Sequence, residues 1–339
     1  MPSHDILVVG ASAGGVEALK QMAAALPANF PAAVFVVLHV PANGKSVLPH
    51  ILNRAGRLPA SHARDREPIV NGHIYVAPPD HHLVIQPGVI RVTRGPRENS
   101  HRPAVDPLFR TAAHSYGSRV IGLVLSGSLD DGTVGLQAIK REGGLAIVQD
   151  PADALYASMP QSALDNVAVD YTVSLSDLGP LLARVLAMPA PVAEEVLVGQ
   201  EHSTEHDPAV DPINYEEEQG APSAFGCPDC GGVLWEYQDG ELARFRCRVG
   251  HAWTAESLLA EQAEALEAAL WAALRGLEER AELARRLAER ARQRNWSQSI
   301  AAFEQQAEEA KHHVDVIRRV LMRRKALEGA EQSPAERAS

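Results

Sequence analysis

Short runs of aliphatic, often β-branched residues alternate with helix-period segments through residues 1–180, and this alternation leaves few folds open. Ile6-Leu-Val-Val9 and Val34-Phe-Val-Val-Leu38 are apolar at every position, as strands buried on both faces are, and a helix is predicted between them from about Gly15 to Ala25. Ile74-Tyr-Val-Ala77, Val120-Ile-Gly-Leu-Val-Leu125 and Leu145–Val148 read as further strands, with a helix near Thr133–Arg141. Leu83-Val-Ile85 and Val89-Ile-Arg-Val92, separated by Gln86-Pro-Gly88, read as a β-hairpin, either an insertion or an edge. The pattern predicts an α/β fold, a doubly wound, mostly parallel sheet with a β-hairpin insertion.

At 339 residues the chain exceeds one comfortable core. Its net charge of −11 is unevenly placed. Residues 1–190 carry 15 basic and 15 acidic side chains, whereas residues 191–220 carry nine acids and no Lys or Arg. That segment, with its Pro and Gly and little apolar periodicity, reads as a solvated linker. The expected organisation is an α/β domain over 1–185, the acidic linker over 191–220, a small Cys/His unit over 225–254 and a helical hairpin or coiled coil over 255–328. In that last part Leu266, Leu270, Leu274, Leu277, Ala281, Ala284, Ala288 and Ala291 recur at steps of three or four, as do Ile300, Phe303, Ala307, Ala310, Val314, Ile317 and Leu321. Asn295-Trp-Ser297 marks the turn, Ser297 can cap the second helix, and disorder is expected from Gly329. The helices offer a surface for a homo-oligomer or a partner. No apolar run is long enough to span a bilayer and no secretory signal opens the sequence, so a cytoplasmic protein without membrane insertion is expected. The absence of a basic face argues against nucleic-acid binding.

Gly10-Ala-Ser-Ala-Gly14 fits Gly-x-Ser-x-Gly directly between a strand and a helix, the setting of a nucleophile elbow. A sharp turn there exposes the Ser12 hydroxyl, and the helix N-terminus offers N–H groups to a developing oxyanion. A dinucleotide-binding loop is the rival reading. It calls for an acid after the second strand, where this chain has His39, a natural general base for serine. Ser126-Gly-Ser-Leu-Asp-Asp-Gly132 follows another core strand and supplies Asp130 and Asp131. Ser12, His39 and Asp131 thus fall at the carboxyl ends of strands, where open α/β sheets build their sites. Either acid can instead cap the helix near Thr133.

The chain resembles the catalytic domain of the chemotaxis protein-glutamate methylesterases over residues 6–180. The resemblance is carried by Val9-Gly-Ala-Ser-Ala-Gly-Gly15, Val37-Leu-His-Val-Pro41, Ala77-Pro-Pro-Asp-His-His-Leu83, Arg102-Pro-Ala-Val-Asp-Pro-Leu-Phe109, Gly127-Ser-Leu-Asp-Asp-Gly132 and Met159-Pro160. It implies Ser12 as nucleophile, His39 as base and Asp131, the second acid of its pair, as acid. The implied activity is hydrolysis of glutamate γ-methyl esters on methylated chemoreceptors or related signalling proteins, with possible deamidation of glutamines and no catalytic cofactor. His82 and Arg102 match family positions near the cleft, where they either contact the surface or anchor loops. The family usually has Thr where this chain has Ala13, and Thr-Gly-Met-Gly where it has Ser126-Gly-Ser-Leu129. These departures sustain an alternative: a catalytically weak or inactive regulatory scaffold acting through its C-terminal modules. The first catalytic strand begins at Ile6, so activation by a preceding phosphorylated receiver domain is not expected within this chain.

Cys227-Pro-Asp-Cys230 and Cys247-Arg-Val-Gly-His251 pair Cys-x2-Cys with Cys-x3-His across sixteen residues. Four soft ligands in two tight pairs suit tetrahedral zinc. With no evident acid nearby, the site is expected to be closed and structural. Residues 54–110 hold nine basic and five acidic side chains, a mildly basic rim to which the acidic linker is expected to bind weakly, partly inhibiting the esterase.

Overall fold

The computed structural model describes residues 4–188, 190, 220–240 and 242–331. The expected acidic linker, apart from Gly220, lies outside them. Residues up to Leu259 form one compact unit and those from Ala260 a second.

The centre of the first unit is a seven-stranded parallel sheet. It comprises β1 (Ile6–Ala11), β2 (Ala33–Leu38), β3 (Ala60–His62), β4 (Ile74–Val76), β7 (Val120–Val124), β8 (Leu145–Gln149) and β9 (Tyr171–Val173), in the order β3-β4-β2-β1-β7-β8-β9. Strand β1 pairs with β2 on one side and β7 on the other, so the winding reverses beside β1. Alternate side chains of each strand enter opposite cores. Leu7, Val9, Val34, Val36, Ile121 and Leu123 pack into one, with residues of α1 (Gly15–Ala25), α2 (Leu48–Ala55) and α6 (Leu175–Leu186). Ile6, Val8, Phe35, Val37, Val120 and Val124 pack into the other, with residues of α3 (Val105–Tyr116), α4 (Thr133–Arg141) and α5 (Ser158–Asn166).

The hairpin of β5 (His82–Gln86) and β6 (Val89–Thr93) is a separate two-stranded sheet, an insertion rather than an edge of the main one. It is fastened to α3, where Ile85 N–H donates to Thr111 Oγ1 at 3.1 Å and Ser115 Oγ donates to the Ile85 carbonyl at 3.0 Å.

The Cys/His segment folds as a four-stranded antiparallel sheet of β10 (Ala221–Gly226), β11 (Val233–Asp239), β12 (Leu242–Cys247) and β13 (Ala252–Thr254). Its core is small: Cys227, Leu234, Phe245, Cys247, Trp253 and Leu258. Helices α7 (Ala255–Gln293) and α8 (Ser297–Glu331) follow. The second unit is their hairpin, in which Leu274, Val314 and Leu321 pack with Leu270, Trp271, Leu277 and Ile317. Arg318 of α8 pairs with Glu278 of α7 at 2.6 Å. Asn295, in the turn, takes a left-handed backbone with φ of 56°. Two expectations need correction. Leu266 is exposed rather than part of the stripe, and α8 passes Gly329 to end at Glu331.

Candidate active site and metal centre

Three strand ends bring the predicted residues together. Ser12 follows β1, His39 follows β2, and Asp131 lies in the loop between β7 and α4. The backbone locks these ends to one another, with Ser12 N–H on the Ser126 carbonyl at 3.0 Å and His39 N–H on the Ala11 carbonyl at 3.2 Å. Gly14 has φ of 71°, and a Cβ there would lie 2.7 Å from Ser126 Oγ, so the turn into α1 suits glycine. Gly127 is held by packing: a Cβ would lie 2.0 Å from Met159 Sδ and 2.9 Å from Ser12 Cβ.

His39 Nδ1 lies 3.1 Å from Ser12 Oγ, and Nε2 lies 2.7 Å from Asp131 Oδ2. Topology explains which nitrogen faces which partner. Strands β1 and β2 are neighbours in register, Ala11 opposite Leu38, so the near nitrogen reaches the serine. The acid sits beyond β7, on the far side of β1 and about two strand spacings of 4.8 Å away, so the far nitrogen must span to it.

Asp131 is buried and takes four N–H donors. His39 Nε2 and Val105 N–H meet Oδ2, both at 2.7 Å; Asp106 N–H and Asn99 Nδ2 meet Oδ1, both at 3.2 Å. Two of these donors open α3, where the helix dipole also favours negative charge. Burial alone would raise the Asp131 carboxyl. The hydrogen bond and charge of His39, with Val105 N–H, outweigh it and hold the group well below the usual carboxylate range. Asp106 sits beside it and is pushed up to about 8 by burial and by the charge of Asp131.

Several groups around this chain were not singled out in the sequence. The His101 ring lies against His39, centroids 3.6 Å apart, and burial together with His39 pushes it down to about 4, so it is neutral near pH 7. Asn99 bridges Asp106 and Asp131. The only available signal was their nearness to the Arg102–Phe109 motif. His82 and Arg102 are loop anchors: His82 Nε2 bonds the Pro96 carbonyl at 2.8 Å, and Arg102 bonds Asp80 and the Gly95 carbonyl. Asp130 does not cap α4 with its side chain; it accepts from Thr254 Oγ1 at 3.0 Å, and burial pushes it up to about 7. Leu129 has φ of 61°, a left-handed backbone in the loop that carries both acids.

Several arginines of the expected basic rim are paired, and of their partner acids Asp229 alone lies outside residues 54–110. Arg91 pairs with Asp65, Arg94 and Arg102 with Asp80, Arg97 with Asp229 and Arg110 with Glu98.

Cys227, Cys230, Cys247 and His251 converge, their ligand atoms all within 4.8 Å of one another. Cys227 Sγ–His251 Nδ1 is 3.6 Å, Cys247 Sγ–His251 Nδ1 is 3.5 Å and Cys230 Sγ–Cys247 Sγ is 3.6 Å. A tetrahedron with Zn–S near 2.3 Å and Zn–N near 2.0 Å has edges of about 3.8 Å between sulfurs and about 3.5 Å from sulfur to nitrogen. The donor set therefore fits zinc in size and kind. Burial pushes the Cys227 thiol up to about 12, a group that a dication would hold as thiolate near neutral pH. One expectation is corrected: an acid is present, since Asp229 Oδ2 lies 3.8 Å from the outward nitrogen of His251, on the side away from the cysteines.

A parallel α/β sheet presenting a Ser–His–Asp hydrogen-bond chain at its carboxyl edge has the architecture of the serine-hydrolase class. Comparison narrows the class. The model of the family described as CheB methylesterase matches residues 7–182, about half of the chain, and the chain belongs to that family. A relative from Leptospira interrogans is 38% identical over 184 residues, covering 54% of this chain and 95% of its own length. The protein-glutamate methylesterase/protein-glutamine glutaminase of Hydrogenovibrio crunogenus is 35% identical over 191 residues, 55% of this chain but only 50% of that protein. The crystal structure of the Thermotoga maritima CheB methylesterase catalytic domain superposes with a TM-score of 0.52 at 33% identity, covering 54% of this chain and 98% of that one. The family match ends at residue 182.

Proposed function

We propose that this chain is a serine esterase that hydrolyses glutamate γ-methyl esters on chemoreceptor-type signalling proteins, releasing methanol, and that the same acyl chemistry can deamidate glutamine side chains. The observation that carries this reading is the continuous hydrogen-bond chain Ser12–His39–Asp131, set at the switch point of the sheet within the segment shared with the methylesterase family.

Ser12 is the nucleophile. As its Oγ bonds to the ester carbonyl carbon, its proton passes to His39 Nδ1. Asp131 holds the other ring nitrogen protonated and stabilises the imidazolium. The N–H groups of Ala13 and Gly14 open the N-terminus of α1 beside the nucleophile and have no partner among the described residues; they are the candidate oxyanion donors, each worth about 3–4 kcal/mol of barrier. Collapse of the tetrahedral adduct breaks the C–O bond to the methoxy group, which leaves with the His39 proton as methanol. Water then adds to the acyl-serine, giving up a proton to His39 that returns to Ser12, and the glutamate carboxylate is freed. Ammonia takes the place of methanol when the substrate is glutamine.

Zinc bound by Cys227, Cys230, Cys247 and His251 would be structural, with no part in the chemistry. No helix among the described residues is long and apolar enough to cross a membrane, in keeping with action on the cytoplasmic parts of receptors. The exposed faces of α7 and α8 suit a homo-oligomer or partner. Methanol release from methylated receptor tests the reading: Ser12→Ala should abolish it while leaving the melting temperature unchanged. Undiminished methanol release by that variant would overturn the assignment.

A further inference from the structure

Asn99 is held in a conformation that its own loop does not favour. It and Ser100 are consecutive left-handed residues, with φ of 50° and 66°, and each such residue costs about 1–2 kcal/mol unless its surroundings fix it. The surroundings that fix Asn99 come largely from the Cys/His sheet and the first turn of α7. Asn99 N–H donates to the Ala252 carbonyl at 2.9 Å, and Ala252 N–H donates to the Arg97 carbonyl at 3.3 Å. The Asn99 side-chain oxygen accepts from Thr254 N–H at 3.1 Å and from Ser257 Oγ at 2.9 Å. A backbone N–H can only donate, so the amide cannot turn over, and its NH2 must face Asp131 and Asp106.

The two hydroxyls join this network. Ser257 Oγ lies 2.9 Å from the Asn99 oxygen, and Thr254 Oγ1 lies 2.8 Å from Ser257 Oγ and 3.0 Å from Oδ1 of Asp130, the neighbour of Asp131. Two elements of the Cys/His module thus grip both acids of the loop, one directly and one through Asn99.

The four ligand residues control where that grip sits. Cys247 ends β12 and His251 immediately precedes β13, with Cys247 N–H on the His251 carbonyl at 3.1 Å closing the turn between them. On the opposite knuckle, Asp229 lies 3.8 Å from His251 and 3.6 Å from Arg97, at the start of the same loop. The module's core has six buried residues, one of them Leu258 of α7 and two of them cysteine ligands, too few to hold β13 in place unaided.

We propose that the Cys/His module is a metal-dependent positioning device for the esterase: a thiophilic dication at Cys227, Cys230, Cys247 and His251 fixes β13, Thr254 and Ser257 fix Asn99, and Asn99 fixes Asp131 against His39. This deepens the esterase reading and rests on it. Thr254, Ser257 and Asn99 are positioning residues, and the metal acts through them without touching substrate.

The test uses the full chain in reducing buffer, loaded with zinc or stripped by chelator. Two readouts are followed: the rate at which a fluorophosphonate labels Ser12, and the low-field proton resonance of His39 Nε2–H on Asp131. Stripping should slow labelling about tenfold or more and broaden the resonance, and one equivalent of zinc should restore both. The Thr254→Val/Ser257→Ala variant should still bind one zinc yet label slowly with or without it, and Thr254→Ser should behave as wild type. The proposal is overturned if Trp253 fluorescence reports loss of the sheet while labelling and resonance are unchanged, if the double variant labels at the wild-type rate, or if the chain binds no zinc. A Ser12 that is unreactive in every state refutes the hydrolase reading instead, and the resonance still decides whether the module positions Asp131.

Discussion

Asp131→Asn is the sharpest probe of the candidate triad, because the structure says which way the new amide will turn. The carboxylate serves four donors, two at each oxygen. An amide offers one oxygen, so its NH2 must face two N–H groups whichever way it lies. With the NH2 at the Oδ1 position, it opposes Asp106 N–H and the Asn99 amide. Two buried donors then lose their acceptor, at about 1–3 kcal/mol each. With the NH2 at the Oδ2 position, it opposes Val105 N–H and His39, but the imidazole can respond by moving its proton to Nδ1. Only one donor is then orphaned, so this orientation prevails. It points an N–H at Ser12 Oγ, where a lone pair is needed.

The variant therefore has the wrong tautomer as well as no charge to stabilise imidazolium. A loss of about 10⁴ in kcat, or about 5 kcal/mol of barrier, is expected. Methanol release under saturating methylated receptor measures it, with circular dichroism to show that the fold is retained. Asp130→Asn is the control: Asp130 touches Thr254 and not His39, so its loss should be smaller by at least about a hundredfold. Comparable losses in the two variants, or an Asp131→Asn enzyme within tenfold of wild type, would refute the reasoning. The pH dependence of stability gives a second check. Asp106 has a folded pKa raised above its unfolded value, so the stability it confers is complete below about pH 4 and is lost as pH rises through about 8. Removing the Asp131 charge lets that pKa fall, so the decline between pH 4 and 8 should flatten in Asp131→Asn.

Other outcomes follow from single contacts. Gly127→Ala should lower kcat about a hundredfold by driving its Cβ into Met159 and Ser12, and Gly127→Ala/Met159→Ala should recover part of it; wild-type kcat in the single variant would contradict the packing. Protein purified under reducing conditions should contain about one zinc per chain, with Cys230→Ser reducing the occupancy, as metal analysis will report. Burial would raise the Glu98 carboxyl, but the guanidiniums of Arg110, Arg246 and Arg244 outweigh it and hold it at about 2. Its contribution, about 3 kcal/mol, is complete above its unfolded value near 4.5 and is lost as pH falls toward 2. In urea denaturation, Glu98→Gln should cost about that much at pH 7 and half or less at pH 3; an equal cost at both would refute the ion-pair account.

What could be read from the sequence, and what could not, divides along the range of the interactions involved. Strands β1, β2, β7 and β8 announce themselves because both faces are buried and every position but Gln149, the last of β8, is apolar. The ends of three of those strands give Ser12, His39 and the Asp130–Asp131 pair. The edge strands Ala60–His62 and Tyr171–Val173 are three residues long and half-polar, with no period to detect. Strands β10 to β13 carry Pro222, Arg244 and Arg246, residues that argue against a strand in isolation. They form because Glu98, which binds Arg110 directly, lies 3.8 and 3.7 Å from the two arginines, and because the Cys/His knuckles bring the β10–β11 and β12–β13 turns together at one end of the sheet. The same reason hid Asn99. Its partners Thr254 and Ser257 stand 155 and 158 residues away, so beyond its nearness to the Arg102–Phe109 motif nothing in the chain marks it. It also changes the meaning of the metal motif. Spacing alone makes Cys-x2-Cys and Cys-x3-His a self-contained structural site, separable from the esterase. The contacts of β13 and the first turn of α7 make removal of that module equivalent to removing three hydrogen bonds from Asn99 and one from Asp130. A truncation after residue 190 therefore probes the support of Asp131 as well as the acidic linker, and only deletion of residues 191–219 with the module kept can isolate the linker's own effect.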